Sequence, residues 1–175
     1  MKGVVLVGFM GTGKTAVARV LARRLGTEVV DTDALVTAEA GKPISRIFAE
    51  DGEPAFRRME TRVLEKLAAA SDTPRANVIA TGGGIVLKQR NWTLLRALGD
   101  VVCLSARPST ILDRVGTADD RPLLAGSREE VLARINALQG RRTQAYAQAD
   151  WICPTDGLTP EQVAGRILRW RAHAG

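Results

Sequence analysis

Gly8-Phe9-Met10-Gly11-Thr12-Gly13-Lys14-Thr15 fits the Walker A pattern G-x-x-x-x-G-K-[ST], and what flanks it decides the fold. Before it stands the apolar run Val4-Val5-Leu6-Val7. After it, Val17, Val20, Leu21 and Leu25 share one face of a helix that the spacing places over about 14–25, with Gly26 as its stop. A glycine-rich passage from strand to helix lets successive N–H groups curl around phosphate oxygens, while the helix aims its positive dipole end at the same charge. Gly11, Thr12, Gly13, Lys14, Thr15 and Ala16 are the resulting nucleotide-binding candidates. Lys14 should reach the β and γ phosphates of ATP, and Thr15 offers its hydroxyl to Mg²⁺, an ion that keeps several waters and takes few protein ligands. An ordinary glycine-rich turn is the competing reading; the coincidence of pattern, lysine and context weighs against it.

Further apolar runs of strand length, Glu28-Val29-Val30, Val78-Ile79-Ala80 and Val101-Val102-Cys103-Leu104, alternate with stretches of helical spacing. That alternation predicts an α/β fold, a parallel sheet covered by helices. Ser127-Arg128-Glu129-Glu130 and Thr159-Pro160-Glu161-Gln162 both fit the capping box and should open two more helices, the second with proline at its first position. The stretch 116–126 has no sustained period and glycine at both ends, which reads as a mobile loop. At 175 residues and 45% hydrophobic content the chain fits one domain, burying roughly 70% of its unfolded surface.

The formal charge of +6 admits nucleic acid, a membrane surface or small anions as partners. The arginines are scattered rather than gathered into a run, and aromatic residues make up only 4%, which argues against nucleic acid. No apolar run reaches membrane-spanning length, the first one being too short even for a signal-peptide core. Cys103 and Cys153 stand apart in apolar segments, without metal-ligand spacing, and read as buried small hydrophobes of a cytoplasmic protein.

The loops at strand ends supply the remaining candidates. Asp31-Thr32-Asp33 follows the second strand, and the carboxyl ends of neighbouring parallel strands converge on one crevice. In extended chain Asp31 and Asp33 would point the same way, one toward metal-bound water and the other toward an acceptor hydroxyl. Asp33 could instead be a helix N-cap. Gly82-Gly83-Gly84 closes the third strand and permits close approach of a ligand ring, although a tight turn is also served by glycine. Arg57 and Arg58 open a helix whose core face should be Phe56, Met59, Val63, Leu64 and Leu67. A solvated face, or an i,i+3 partner for Glu60, is the bland reading of that arginine pair, and Arg141 and Arg142 carry the same one. Arg121 lies in the glycine-flanked loop, where a cation closing over phosphates stabilises transition-state charge.

Assembled, these residues resemble the shikimate kinase family over nearly the whole chain. The resembling segments are 8–15, Asp31-Thr32-Asp33, Gly52-Glu53 through Phe56-Arg57-Arg58 and Glu60, the glycine triplet, Arg121-Pro122-Leu123-Leu124, and Arg142 four residues before Tyr146. The resemblance implies a P-loop, NMP-kinase-like fold with a five-stranded parallel sheet, a lid over ATP at about 116–126, a shikimate-binding region at about 33–60, and a monomer. It implies transfer of the γ-phosphate of MgATP to the 3-hydroxyl of shikimate, on the route to chorismate and the aromatic amino acids. On that resemblance Asp33 binds the acceptor hydroxyl and is the candidate base, while Asp31 helps hold Mg²⁺ through water and Thr15 ligates it directly. Arg57 and Arg142 hold the substrate carboxylate, Gly82, Gly83 and Gly84 line the acceptor, with a backbone N–H from Gly83, and Arg121 is the lid cation. Arg114 and Pro160 take the adenine-side positions. A related kinase acting on another polyol acid such as gluconate, and a lapsed kinase serving as a nucleotide sensor, are the competing functions.

Overall fold

The computed structural model describes residues 2–70, 78–115 and 126–174. Strand β1 (Gly3–Gly8) is buried along its whole length and sits at the centre of a five-stranded parallel sheet. The other strands are β2 (Val29–Asp31), β3 (Val78–Ala80), β4 (Gly99–Ser105) and β5 (Trp151–Pro154), in the order β2-β3-β1-β4-β5. A central parallel strand is covered on both faces, which is why its sequence is continuously apolar rather than alternating. Val4 and Leu6 pack with Val17, Leu21, Val163 and Ile167 on one side, while Val5 and Val7 pack with Leu64, Trp92 and Leu95 on the other.

The first layer is built from α1 (Lys14–Leu25) and α8 (Pro160–Ala174). Helix α1 has the bounds its spacing predicts, and Gly26 closes it in the left-handed conformation. The second layer holds α4 (Gly52–Ala69) and α5 (Gln89–Leu98). Between β2 and α4 the chain forms α2 (Thr32–Ala40) and α3 (Ile44–Glu50), whose Val36 and Ile47 join Phe56 and Val63 in a separate small core. Helices α6 (Pro108–Val115) and α7 (Arg128–Tyr146) pack beside the start of α1, with Phe9, Ile111 and Ile135 in one cluster. Both predicted capping boxes form. The Glu130 carboxylate accepts from the Ser127 N–H at 2.7 Å, and Gln162 Oε1 accepts from the Thr159 N–H at 2.8 Å.

Two sequence expectations change. The second strand runs one residue later than the apolar run, and the edge strand β5, too short and too exposed to show a pattern, appears only in the structure. The expected lid, including Arg121, lies outside the described residues except for Gly126. No helix among the described residues is long and apolar enough to cross a membrane.

Candidate active site

The carboxyl ends of β1, β2 and β3 deliver three short segments to one edge of the sheet. The first is the loop 8–13, where Gly8, Gly11 and Gly13 all have positive φ, at 139°, 72° and 93°. That backbone is strained for any residue with a Cβ, and a Cβ on Gly8 would also overlap the Leu104 carbonyl. Thr12 is buried and donates its hydroxyl to the Phe9 carbonyl at 2.8 Å, fixing the loop from within. Lys14 Nζ spans the same loop, donating to the Gly8 and Phe9 carbonyls at 2.8 and 2.9 Å. Thr15 and Ala16 are exposed at the mouth of the helix. Arg114 reaches the cradle from α6, donating to the Gly11 carbonyl at 3.4 Å and to the hydroxyl and carbonyl of Thr155 at 2.9 and 2.6 Å. It ties the loop to the segment leading into Pro160, the first residue of α8.

The second segment corrects the reading of the acidic pair. Helix α2 begins at Thr32, so Asp33 is in its first turn, and Asp31 is the N-cap. One oxygen of Asp31, Oδ1, accepts from the Asp33 and Ala34 N–H groups at 2.9 and 3.2 Å. An extended pair pointing the same way is therefore not what forms: the Asp31 carboxylate satisfies the first orphan donors of the helix and winds the chain immediately after it. Thr32 between them is fully buried and accepts from the Gly82 N–H at 3.2 Å, stitching α2 to the third segment.

That third segment is the glycine triplet, and each missing Cβ makes room for a different side chain. A Cβ on Gly82 would lie 2.5 Å from Asp33 Oδ1 and 3.1 Å from Glu60 Oε1. One on Gly84 would overlap the Arg57 guanidinium carbon at 2.5 Å, and one on Gly83 would face the Gly8 carbonyl at 3.3 Å and Arg142 Nη1 at 3.6 Å. The triplet is thus a seat for the acidic and basic groups as well as a turn. Thr81 precedes it, its N–H and hydroxyl both donating to the Leu6 carbonyl of β1, at 3.1 and 3.0 Å.

Arg57 is held from three sides. Nη1 donates to Glu60 at 2.8 Å, Nη2 and Nε donate to Glu53 at 2.9 and 3.2 Å, and the guanidinium lies 5.2 Å from the Phe56 ring centre. Burial alone would lower the pKa of Arg57, but Glu60 and Glu53 outweigh it and the value is raised. The expected i,i+3 pairing with Glu60 is real, yet the side chain is only 13% exposed, so it is no solvated face charge. Arg58, its neighbour, is exposed. The second arginine pair separates in the same way. Arg141 is exposed, whereas Arg142 is partly buried, donates to the Gly83 carbonyl at 3.3 Å and lies 5.4 Å from the Phe9 ring centre.

Glu60 and Tyr146 do more than the sequence reading gave them: Glu60 was expected only as a pairing partner, and Tyr146 only as a marker of the family pattern. Glu60 is fully buried, with Oε1 lacking a hydrogen-bond partner among the described residues. Burial raises its pKa, Arg57 opposes the shift, and the nearby Asp33 charge adds to it. The signal was present: Glu60 interrupts the apolar stripe four residues after Phe56 and four before Leu64. Tyr146 donates its hydroxyl to the Gly83 carbonyl at 2.7 Å, and burial pushes its phenol up to about 12, so it stays a donor throughout the neutral range.

A central strand feeding a phosphate cradle at the head of a helix, in an all-parallel sheet covered on both faces, defines a P-loop nucleotide-binding α/β protein. Beside that cradle, Arg57, Arg142, Asp33 and Glu60 gather around the glycine triplet at the same edge. The family model described as shikimate kinase matches residues 10–172. The curated shikimate kinase of Moorella thermoacetica is 46% identical over 164 residues, 94% of this chain and 91% of that one. That of Thermodesulfovibrio yellowstonii is 41% identical over 170 residues, 97% and 94% of the two chains. Among solved structures, shikimate kinase from Acinetobacter baumannii in complex with shikimate superposes with a TM-score of 0.89 at 33% identity, covering 99% of this chain and 94% of that one. The chain belongs to the shikimate kinase family.

Proposed function

We propose that this protein transfers the γ-phosphate of ATP to the 3-hydroxyl of shikimate, producing shikimate 3-phosphate and ADP. The observation that carries the reading is the triplet's seating of Asp33, Arg57 and Arg142 against three consecutive glycines, one loop away from Lys14. The site offers fixed guanidinium groups to an acceptor carboxylate and a carboxylate to an acceptor hydroxyl. A shikimate molecule has both groups on one small ring.

In this reading the loop 8–13 and Lys14 hold the β and γ phosphates, with Nζ exchanging the Gly8 and Phe9 carbonyls for phosphate oxygens. Arg114 and Pro160 flank the adenine. Arg57 and Arg142 fix the acceptor carboxylate, Gly83 contributes its N–H, and Asp33 orients the hydroxyl and takes its proton as the bond to phosphorus forms. Arg121, outside the described residues, is the remaining candidate cation for the phosphates.

The donor set near the cradle fits Mg²⁺. Asp31 commits only Oδ1 to its cap, and Oδ2 makes no hydrogen bond among the described residues. Thr15 adds a hydroxyl, and no group of three or more metal-binding side chains stands among the described residues. One hydroxyl and one carboxylate oxygen suit an ion that keeps waters and takes phosphate oxygens, and would suit Zn²⁺ poorly. When bound, the ion neutralises charge on the phosphates. The protein then acts on small molecules in the cytoplasm as a single-domain monomer.

The test is an ADP-release assay with shikimate and gluconate offered separately. Turnover with shikimate alone is expected. Turnover with gluconate alone would transfer the reading to another polyol acid, and nucleotide binding without turnover of either would leave a sensor.

A further inference from the structure

The Gly83 carbonyl accepts two hydrogen bonds, from Tyr146 Oη at 2.7 Å and from Arg142 Nη1 at 3.3 Å. Both donors come from the last turns of α7, four residues apart and hence on one face. The arginine bond is the longer of the two, and its guanidinium also lies against the Phe9 ring of the phosphate loop. The hydroxyl makes the shorter bond, and it has no other acceptor among the described residues. One carbonyl is therefore shared between a cation with somewhere else to go and a neutral group without.

We propose that Tyr146 is a positioning residue whose hydroxyl keeps the Gly83 carbonyl satisfied, so that Arg142 can leave it for the acceptor's carboxylate. The proposal rests on the reading of Arg142 as a ligand of that carboxylate. Its energetic logic is a difference between two states. With Tyr146 present, Arg142 exchanges the Gly83 carbonyl for another oxygen and leaves that carbonyl with a donor. Without the hydroxyl, each departure of Arg142 strips the last donor from a partly buried carbonyl, and an unmade bond there is costly. The same argument gives the triplet its rigidity in the loaded site: the peptide that faces the acceptor keeps its orientation while the arginine moves.

The coupling is testable by a double-mutant cycle in the full-length protein. Tyr146→Phe deletes one oxygen and keeps the ring that packs with Phe9 and Ile135. It should weaken shikimate binding, measured by calorimetry, by roughly five-fold, the equivalent of one ordinary hydrogen bond, and leave ATP binding within about two-fold. In the Arg142→Ala background the same substitution should have no effect on shikimate, because the carbonyl then lacks the arginine in both free and bound states. An equal loss in both backgrounds would overturn the proposal and reduce Tyr146 to packing. A second cycle needs no acceptor at all. Without ligand, Arg142→Ala should lower Tm more in the Tyr146→Phe protein than in the native one, by about 2–4 °C, since only there does it bare the carbonyl. Additive Tm shifts would show that the carbonyl is not shared. A native protein that turns over gluconate and not shikimate, with the thermal cycle still non-additive, would instead indict the acceptor assignment.

Discussion

The guanidinium of Arg57 occupies the space in which a side chain on Gly84 would begin, so the glycine and the arginine are two halves of one feature. Gly84 has φ −104° and ψ −2°, a conformation open to any residue, so its smallness serves the arginine and not the turn. Gly84→Ala should therefore leave a folded protein in which Arg57 has been pushed aside. Its KM for shikimate should rise by roughly 10-fold or more, through the lost charge-assisted contact, with the KM for ATP unchanged. Steady-state kinetics with each substrate varied separately would check this, and an unchanged shikimate KM would mean that Arg57 does not hold the acceptor.

Direct removal of either cation makes the companion prediction. Arg57→Ala or Arg142→Ala should lower kcat/KM for shikimate by roughly 10 to 100-fold, the worth of about 1.5–3 kcal/mol, with ATP use barely altered. An analogue with the carboxylate reduced to an alcohol should be a poor substrate for the native enzyme and should lose less in each variant. If the native enzyme phosphorylated that analogue as readily as shikimate, neither arginine would be a carboxylate ligand.

Lys14→Met should abolish ADP production without unfolding the chain. Lys14 Nζ rests on loop carbonyls at the edge of the sheet and not in a hydrophobic core. Circular dichroism beside the coupled assay separates the two outcomes; a folded Lys14→Met protein with normal turnover would remove the loop from the reaction.

Glu60 gives a prediction in pH. Its folded pKa is raised above the ordinary 4.5, chiefly by burial, so the folded state binds its proton more tightly than the unfolded chain does. Stability from this group is then complete below about that ordinary value and is lost as pH rises through the folded one. Relative to Glu60→Gln, which cannot titrate, the native protein should lose stability from near pH 4.5 upward and level off above the raised pKa. Urea midpoints of both proteins across that range would show it, and a difference independent of pH would mean that Glu60 is ionised in both states alike.

The sheet was legible because burial on both faces leaves continuous apolar runs, and α1 because its stripe ends on a glycine. The capping boxes were legible because a short side chain three residues before a carboxylate or amide is a local chemical device. Strand β5 was not, since an edge strand of four residues with Ile152 exposed and Pro154 at its end lacks a periodic signature. The site was readable as residue types and not as partnerships. Sequence spacing placed Asp31 and Asp33 together, but which of them capped the helix depended on where the chain began to wind. Spacing likewise put Glu60 in line with Phe56 and Leu64, while its burial depended on Arg57 and on a glycine more than twenty residues away.

Leu6 pairs with Ala80 in the sheet, and its carbonyl alone receives both the N–H and the hydroxyl of Thr81. The phosphate loop begins two residues after Leu6 and the glycine triplet one residue after Thr81, so loop and triplet hang from a common peg. An insertion or deletion of one residue on either side of that peg would slide one substrate past the other by about 3.3 Å, as large as the gap the phosphoryl group must cross. Descendants of this chain, natural or engineered, have little latitude there. New acceptors would have to be won by substitutions in the α2–α4 wall that keep its length, since Asp33 and Arg57 both stand on it.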